Sequence, residues 1–318
     1  MSWQHVEHIS DVTERVPTVL AIGNFDGVHL GHQAVLKSVV EAAHAIGARP
    51  AALTFFPHPR EIIRGDMSRY YLMPLADRVA RLADNGIELV ISHPFNEAVR
   101  HTRAASFVQQ MVDYLDLRQL WGGNFSLGYK REGDFAFLSA QGTQHGFSVH
   151  LFDSVLLPLL RSVEGVETET ISSSRIRRSL RAGDVREAAR CLGHPYAVHG
   201  PILLGKQLGR TIGIPTANVG VWDRQLLPAY GVYATRVWVA GEAFIGATNV
   251  GVRPTVDGST HVTVEPHILD FDRDIYDQEV TVEFIERVRD EQKFSGLGAL
   301  KVQITKDIEA VRQIMARE

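Results

Sequence analysis

Thr18-Val-Leu-Ala-Ile-Gly-Asn-Phe-Asp-Gly-Val-His-Leu-Gly-His-Gln33 decides how the first half of the chain folds. The apolar run Val19 to Ile22 is too short for a helix and reads as a buried strand. Gly23 and Gly27 then allow a tight turn. From Leu30 the apolar residues Val35, Leu36, Val39, Val40 and Ala43 recur at spacings of three and four, the period of a helix. Gly47 suits the end of that helix. His29 and His32 therefore stand where a helix starts, directly after a strand and a glycine turn. The first N–H groups of a helix have no partner within it, and its dipole favours negative charge there. Two imidazoles three residues apart point to one side and can donate to phosphoryl oxygens as charge builds up. A capped helix start with two surface histidines is the plainer alternative; the strand and glycine turn before the pair favour the phosphate.

The same alternation continues outward from this stretch. Arg49 to Phe56 reads as a second strand, so strand, helix and strand make a right-handed parallel crossover. Ligands of such sheets lie beyond the C-terminal strand ends. The histidine pair follows one such end, and Pro57-His58-Pro59-Arg60-Glu61 follows the other, where two prolines are expected to hold an extended loop. Leu75 to Asn85 reads as a helix ended by Gly86, Ile87 to Ile91 as a strand, Ala105 to Leu115 as a helix and Leu117 to Trp121 as a strand. This pattern predicts a doubly wound α/β domain. A glycine-rich loop, Gly122-Gly-Asn-Phe-Ser-Leu-Gly128, leaves the last strand. Ile171-Ser-Ser-Ser-Arg-Ile-Arg177 has serines suited to capping a helix that runs to Gly183. Arg175, Arg177, Arg178 and Arg181 make it basic, which fits a capped, solvated helix or a small nucleic-acid patch. Asp184-Val-Arg-Glu187 has the spacing of a capping box for a helix to Leu192.

With 318 residues the chain is long enough for two domains. Its 33 basic and 37 acidic residues, net −4, weigh against general nucleic-acid binding, which wants a basic surface. One cysteine, Cys191, allows no intrachain disulfide and lies in an apolar helical pattern, so it reads as core. No apolar run has the length of a membrane span, and the N-terminus lacks a signal-peptide pattern. The expectation is a soluble, cytoplasmic protein with no membrane partner; a homo-oligomer is left open.

From Tyr196 the period changes to two. Gly231 to Val239, Ala243 to Val250, His261 to Pro266 and Glu279 to Ile285 read as strands, with turns at Ala240-Gly241 and Asp257-Gly258. A small closed all-β barrel is predicted. A final helix, Leu297 to Met315, places Leu300, Ile304, Ile308, Val311 and Ile314 on one face. Gly200-Pro-Ile-Leu-Leu-Gly-Lys-Gln207 copies a P-loop but has Gln207 where a hydroxyl would hold magnesium, and no helical pattern follows, so that reading is rejected. Gly209-Arg-Thr-Ile-Gly-Ile-Pro-Thr-Ala-Asn218 is more informative. Thr216 and Asn218 are good oxygen ligands for Mg²⁺, though Thr and Asn after Pro also suit a turn.

The His-x-Gly-His segment resembles the signature of the nucleotidyltransferase superfamily. Gly23 to His32 resembles more narrowly the FMN adenylyltransferase module of bacterial FAD synthetases. Thr54 to Pro59, Gly122 to Gly128 and Ile171 to Arg177 are similar to further motifs of that module. In the second half, Gly213 to Asn218, Gly231-Val-Tyr233, Thr248 to Thr255, Val264-Glu265, Leu269 to Phe271, Asp274 to Tyr276 and Arg289 to Phe294 resemble riboflavin kinases. These motifs cover nearly the whole chain, in family order.

The resemblance implies a bifunctional enzyme: an α/β nucleotidyltransferase domain over 1–185, then a β-barrel kinase domain over 186–318 with a C-terminal helix. Its substrates would be ATP, riboflavin and FMN, its product FAD, and its metal Mg²⁺. By resemblance His29 and His32 are catalytic for adenylylation and Glu265 is the general base of the kinase. Gly23, Phe25, Ser172, Ser173, Arg177, Gly205, Gly209, Arg210 and Gly213 would meet ATP or phosphate. Pro57, His58, Asn124 and Arg289 would meet flavin, and Thr216 and Asn218 the metal. The chain departs from the family pattern at Asn124, where an acid is usual, and at Leu127, Pro266 and Asp277. A kinase with a weakened adenylyltransferase half and a non-catalytic flavin-binding regulator are the two alternatives.

Overall fold

The structure, a computed structural model, describes residues 3–65, 67–163, 166–204, 209, 213–254 and 260–318. The chain forms two compact units, Met1–Met67 with Met73–Ser172, and Ser68–Leu72 with Ser173–Glu318.

In the first unit β1 (Gln4–Val6), β2 (Thr18–Ile22), β3 (Arg49–Phe56), β4 (Leu89–Pro94), β5 (Leu117–Gly122) and β6 (Ser148–Leu151) form one sheet in the order β1-β4-β3-β2-β5-β6. Every pairing in it is parallel. Strand residues alternate between its two faces, as a period of two requires. Leu20, Ile22, Leu53 and Leu120 pack with Phe107, Val108 and Met111, while Val19, Ala21, Ala52 and Val90 pack with Leu36, Val39 and Leu82. The chain winds from β2 toward β3 and β4, then returns to place β5 on the other side of β2. The crevice at that reversal, beyond the C-terminal ends of β2 and β5, is where such sheets bind ligands.

The helix after β2 spans Leu30–Ala45. The sequence patterns for the elements out to β5 hold to within a few residues, while β1, β6 and the helix Phe135–His145 lay below them. An antiparallel pair, β7 (Leu156–Val163) with β8 (Val166–Thr170), follows. The loop after β3 is not extended throughout. Pro59 opens a helix, Pro59–Arg64, capped by His58, whose Nδ1 accepts from Arg60 N at 3.1 Å. Proline suits a first helical position because the N–H it lacks would have no partner there.

Burial pushes the His93 imidazole on β4 down to about 4, with His8 adding to the shift and Asp11 opposing it. The native unit therefore keeps His93 neutral where the unfolded chain, at about 6.5, takes up a proton. Stability is unaffected above pH 6.5 and falls as pH drops from there toward 4, by about 1.4 kcal/mol per pH unit at most. Urea unfolding at pH 7 and pH 5.5 should show this fall, and His93→Gln should flatten it. An unchanged pH dependence in the variant would show that other groups carry the effect.

In the second unit Arg175 and Glu187 form a buried ion pair, and Arg190 Nη1 reaches the other Glu187 oxygen at 3.1 Å. The expected capping box is thus half formed. Asp184 caps the helix Val185–Leu192 by accepting from Glu187 N at 3.0 Å, but the Glu187 carboxylate is spent on the arginines and Asp184 N donates to Ser179 O. Cys191 is buried in this helix.

β9 (Tyr196–Pro201), β10 (Gly231–Val239), β11 (Glu242–Pro254), β12 (Thr260–Ile268) and β13 (Glu279–Asp290) form an antiparallel sheet in the order β12-β11-β10-β13-β9. Val219 bridges to Ile202, just past β9, and to Val264 on β12, so it joins the two edges of the sheet. The helix Leu297–Met315 has the predicted bounds, but its deepest residues are Asp307 and Val311; Leu300, Ile304, Ile308 and Ile314 are half-buried. The P-loop look-alike begins inside β9, and its Gly205, Lys206 and Gln207 lie outside the described residues, as do Arg210 and the Asp257-Gly258 turn.

Candidate active sites

In the first unit the turn between β2 and its helix carries strained backbone. Phe25 and Val28 take left-handed φ values of 47° and 39°. Such conformations persist only when surrounding contacts over-determine them. Asp26 supplies one, buried against Arg78 at 3.5 Å. Arg78 Nη1 also donates to Thr54 Oγ1 at 3.2 Å, tying the turn to β3. His29 is the N-cap of the helix, its Nδ1 accepting from His32 N at 3.3 Å. The rings of His29 and His32 stack with centroids 3.6 Å apart, and Phe25 meets His32 edge-on at 5.2 Å. Phe25 is buried and its ring supports His32. A Cβ at Gly31 would lie 3.2 Å from His29 Nδ1, so a side chain there would press on the capping ring.

A cavity of about 800 Å³ opens at the strand ends of this unit. Gly23 and Asn24 after β2, Phe55 on β3, His58, and Asn124 and Phe125 after β5 line it. Arg60, Arg64, Arg100, Lys130 and Arg131 also line it and make it cationic. Pro57 is not among the lining residues; Pro59 is. These basic residues were not singled out from the sequence, because they come from three segments, Arg60 with Arg64, Arg100, and Lys130 with Arg131, that only the fold brings together.

Ser172 ends the first unit, and Ser173 opens the helix Ser173–Ala182 of the second. Arg177 is buried, donates to Tyr70 O at 2.9 Å and stacks 3.7 Å from the Tyr70 ring centroid. Arg178 and Arg181 are exposed.

In the second unit one cavity of about 390 Å³ gathers Gly209, Thr216, Asn218, Asn249, Glu265, His267 and Arg289. Its apolar wall includes Val232, Val252, Phe294, Leu300 and Ile304. Thr263, Glu265 and His267 share one face of β12, and Asn249 on β11 is directly opposite Glu265. Gly209 is required by packing, since a Cβ there would sit 2.2 Å from Ile214 O. Gly213 lies in the loop before Thr216, exposed, with φ +76°. Arg289 is pinned by Asp307, its Nε donating to both carboxylate oxygens at 2.9 and 3.0 Å and its Nη2 to one at 2.8 Å. Gln303 completes the cluster with a 2.8 Å bond to Asp307. An acid on the apolar stripe of a helix signals a hidden partner, and that signal could have marked Asp307. A second cavity of about 320 Å³ shares Thr216 and Tyr276 with the first and is lined further by Ala217, Pro266, Phe271 and Ile275.

Family profiles described as FAD synthetase and riboflavin kinase match residues 11–162 and 192–315. A curated bifunctional riboflavin kinase/FMN adenylyltransferase of Pseudomonas fluorescens is 39% identical over 94% of this chain and 93% of its own. The chain belongs to this family. Bifunctional riboflavin kinase/FMN adenylyltransferases of Haemophilus influenzae and Listeria monocytogenes are 40% and 34% identical, covering 92% and 94% of this chain and 92% and 93% of their own. A crystal structure titled a macrolide-efflux protein, from Streptococcus pneumoniae, is similar with a TM-score of 0.83 and 27% identity, covering 98% of this chain and 99% of that one. No helix among the described residues is long and apolar enough to cross a membrane. Both domains of the riboflavin kinase/FMN adenylyltransferase family are present, and ATP and flavins follow as its substrates.

Proposed function

We propose that the second unit phosphorylates riboflavin to FMN with ATP and that the first transfers the AMP moiety of a second ATP to FMN. The observation that carries the reading is the cavity of about 390 Å³ where Thr216, Asn218 and Glu265 meet beside an apolar wall of Val232, Val252, Phe294, Leu300 and Ile304. Its neighbour, reached past Thr216 and Tyr276, suits the nucleotide. Glu265 takes the proton from the terminal ribityl hydroxyl as its oxygen attacks the γ-phosphorus of ATP and ADP leaves. Phosphoryl transfer asks little covalent chemistry of the protein, so positioning matters most. Thr216 and Asn218 offer neutral oxygen ligands, a donor set that fits Mg²⁺ sharing its shell with substrate phosphates and water. Among the described residues no group of three or more His, Cys, Asp or Glu forms a metal cage, which agrees with that mode of binding. When bound, magnesium neutralises phosphate charge.

In the first unit an FMN phosphate oxygen attacks the α-phosphorus of ATP, and pyrophosphate leaves. His29 and His32 donate to the oxygens where charge accumulates. The basic residues around Asn124 suit the FMN phosphate, so an uncharged residue there does not by itself argue for a weakened half. Ser172, Ser173 and Arg177 remain the proposed phosphate contacts of the following helix start. Functional domains of 1–185 and 186–318 and a cytoplasmic setting, supported by the use of ATP in both steps, complete the reading.

The test is a chromatogram of riboflavin, FMN and FAD after incubation with riboflavin, ATP and Mg²⁺. FMN followed by FAD is expected. FMN alone would remove the adenylyltransferase assignment, and flavin binding without any product would leave a regulator.

A further inference from the structure

The Thr216–Asn218 segment docks along β12 as a short extra strand. Ala217 N donates to Pro266 O at 2.9 Å and Val219 N to Val264 O at 3.0 Å. Two residues further along this ladder stands Pro215. Neither Pro215 nor Pro266 has an N–H, so the backbone loses donors at the end nearest Thr216. A side chain adds a tie at this end: His267 Nδ1 lies 2.7 Å from Pro215 O. A carbonyl oxygen only accepts, so Nδ1 carries the proton, and in the neutral ring Nε2 is an acceptor. His267 follows Glu265 by two on the same face of β12, and both line the cavity with Thr216 and Asn218. The imidazole thus ties the residue before Thr216 to the strand that carries the base.

We propose that His267 is a positioning residue of the kinase site, its Nδ1–H bond to the Pro215 carbonyl holding Thr216 and Asn218 in register with Glu265. It thereby sets how tightly the nucleotide phosphates are held. The inference rests on the assignment of Thr216 and Asn218 to those phosphates and deepens it.

The test compares His267→Ala, His267→Asn, His267→Gln and Thr216→Val in the full chain. ADP affinity is measured by titration calorimetry with and without Mg²⁺, kinase KM for ATP and kcat by product analysis, and riboflavin binding by fluorescence quenching. One neutral hydrogen bond predicts that His267→Ala weakens ADP binding and raises KM for ATP roughly fivefold to tenfold, with riboflavin binding kept. Asparagine places its amide nitrogen near the Nδ1 position and should restore most of the loss. Glutamine reaches the Nε2 position and should not. Wild-type ADP affinity in His267→Ala overturns the proposal, as does rescue by glutamine but not asparagine, which would assign the ring to substrate contact through Nε2. Loss of riboflavin binding in the alanine and asparagine variants alike also counts against it. Unimpaired ADP binding in Thr216→Val would instead sink the underlying phosphate assignment, whatever His267 does.

Discussion

Glu265→Gln is expected to lower kcat for riboflavin phosphorylation by about 10²–10⁴, while FAD formation from supplied FMN continues at the wild-type rate. The substitution keeps the shape of the side chain and its place opposite Asn249 on the strand ladder. It removes the negative charge and the ability to accept a proton. KM for riboflavin should therefore change little, because the apolar wall and Arg289 with its Asp307 brace are untouched. Separate initial rates for FMN from riboflavin and for FAD from FMN check both halves of the expectation. A Glu265→Gln enzyme that makes FMN near the wild-type rate would return Glu265 to an ordinary strand residue.

His29→Ala should cost adenylylation about 10²–10³ in kcat, near 3–4 kcal/mol in the barrier, with riboflavin phosphorylation unaffected. The structure gives His29 a second duty that complicates alanine. Its Nδ1 caps the helix by accepting from His32 N, so in the neutral ring Nε2 carries the proton and is the donor a phosphoryl oxygen would meet. Losing a cap costs about 1 kcal/mol of stability, and the stacked His32 ring would lose its neighbour as well. His29→Asn separates the duties, since asparagine caps helices well but does not reach as far. Adenylylation should be lost in both variants. Wild-type FAD formation in His29→Asn would show that the residue matters as a cap and not as a donor.

Much of this was written in local sequence. The strand Val19–Ile22, the glycine turn and the apolar period that follows dictate β2 and its helix, and repetition of that alternation dictates the parallel sheet. The change of period after Tyr196 marks the second fold, and the extent of the helix Leu297–Met315 was legible from its apolar stripe. These signals are readable because a helix or strand exposes its burial pattern every three to four or every two residues. The grouping of the candidate site residues was legible for a related reason, since His29 with His32, and Thr216 with Asn218, lie close enough in sequence to meet at one helix start or to line one cavity.

Tertiary structure decided what supports them. Asp26 is neutralised by Arg78 on a distant helix, and Arg289 by Asp307. Val219 joins the sheet edges, and the His267 ring reaches the Pro215 carbonyl across from its strand. The first helix turn after β3 also escaped, because Pro59 can either extend a loop or begin a helix, and the neighbouring contacts choose. A buried charge or an orphaned carbonyl must find a partner. That partner's address depends on which elements the fold brings together, and no local period encodes it.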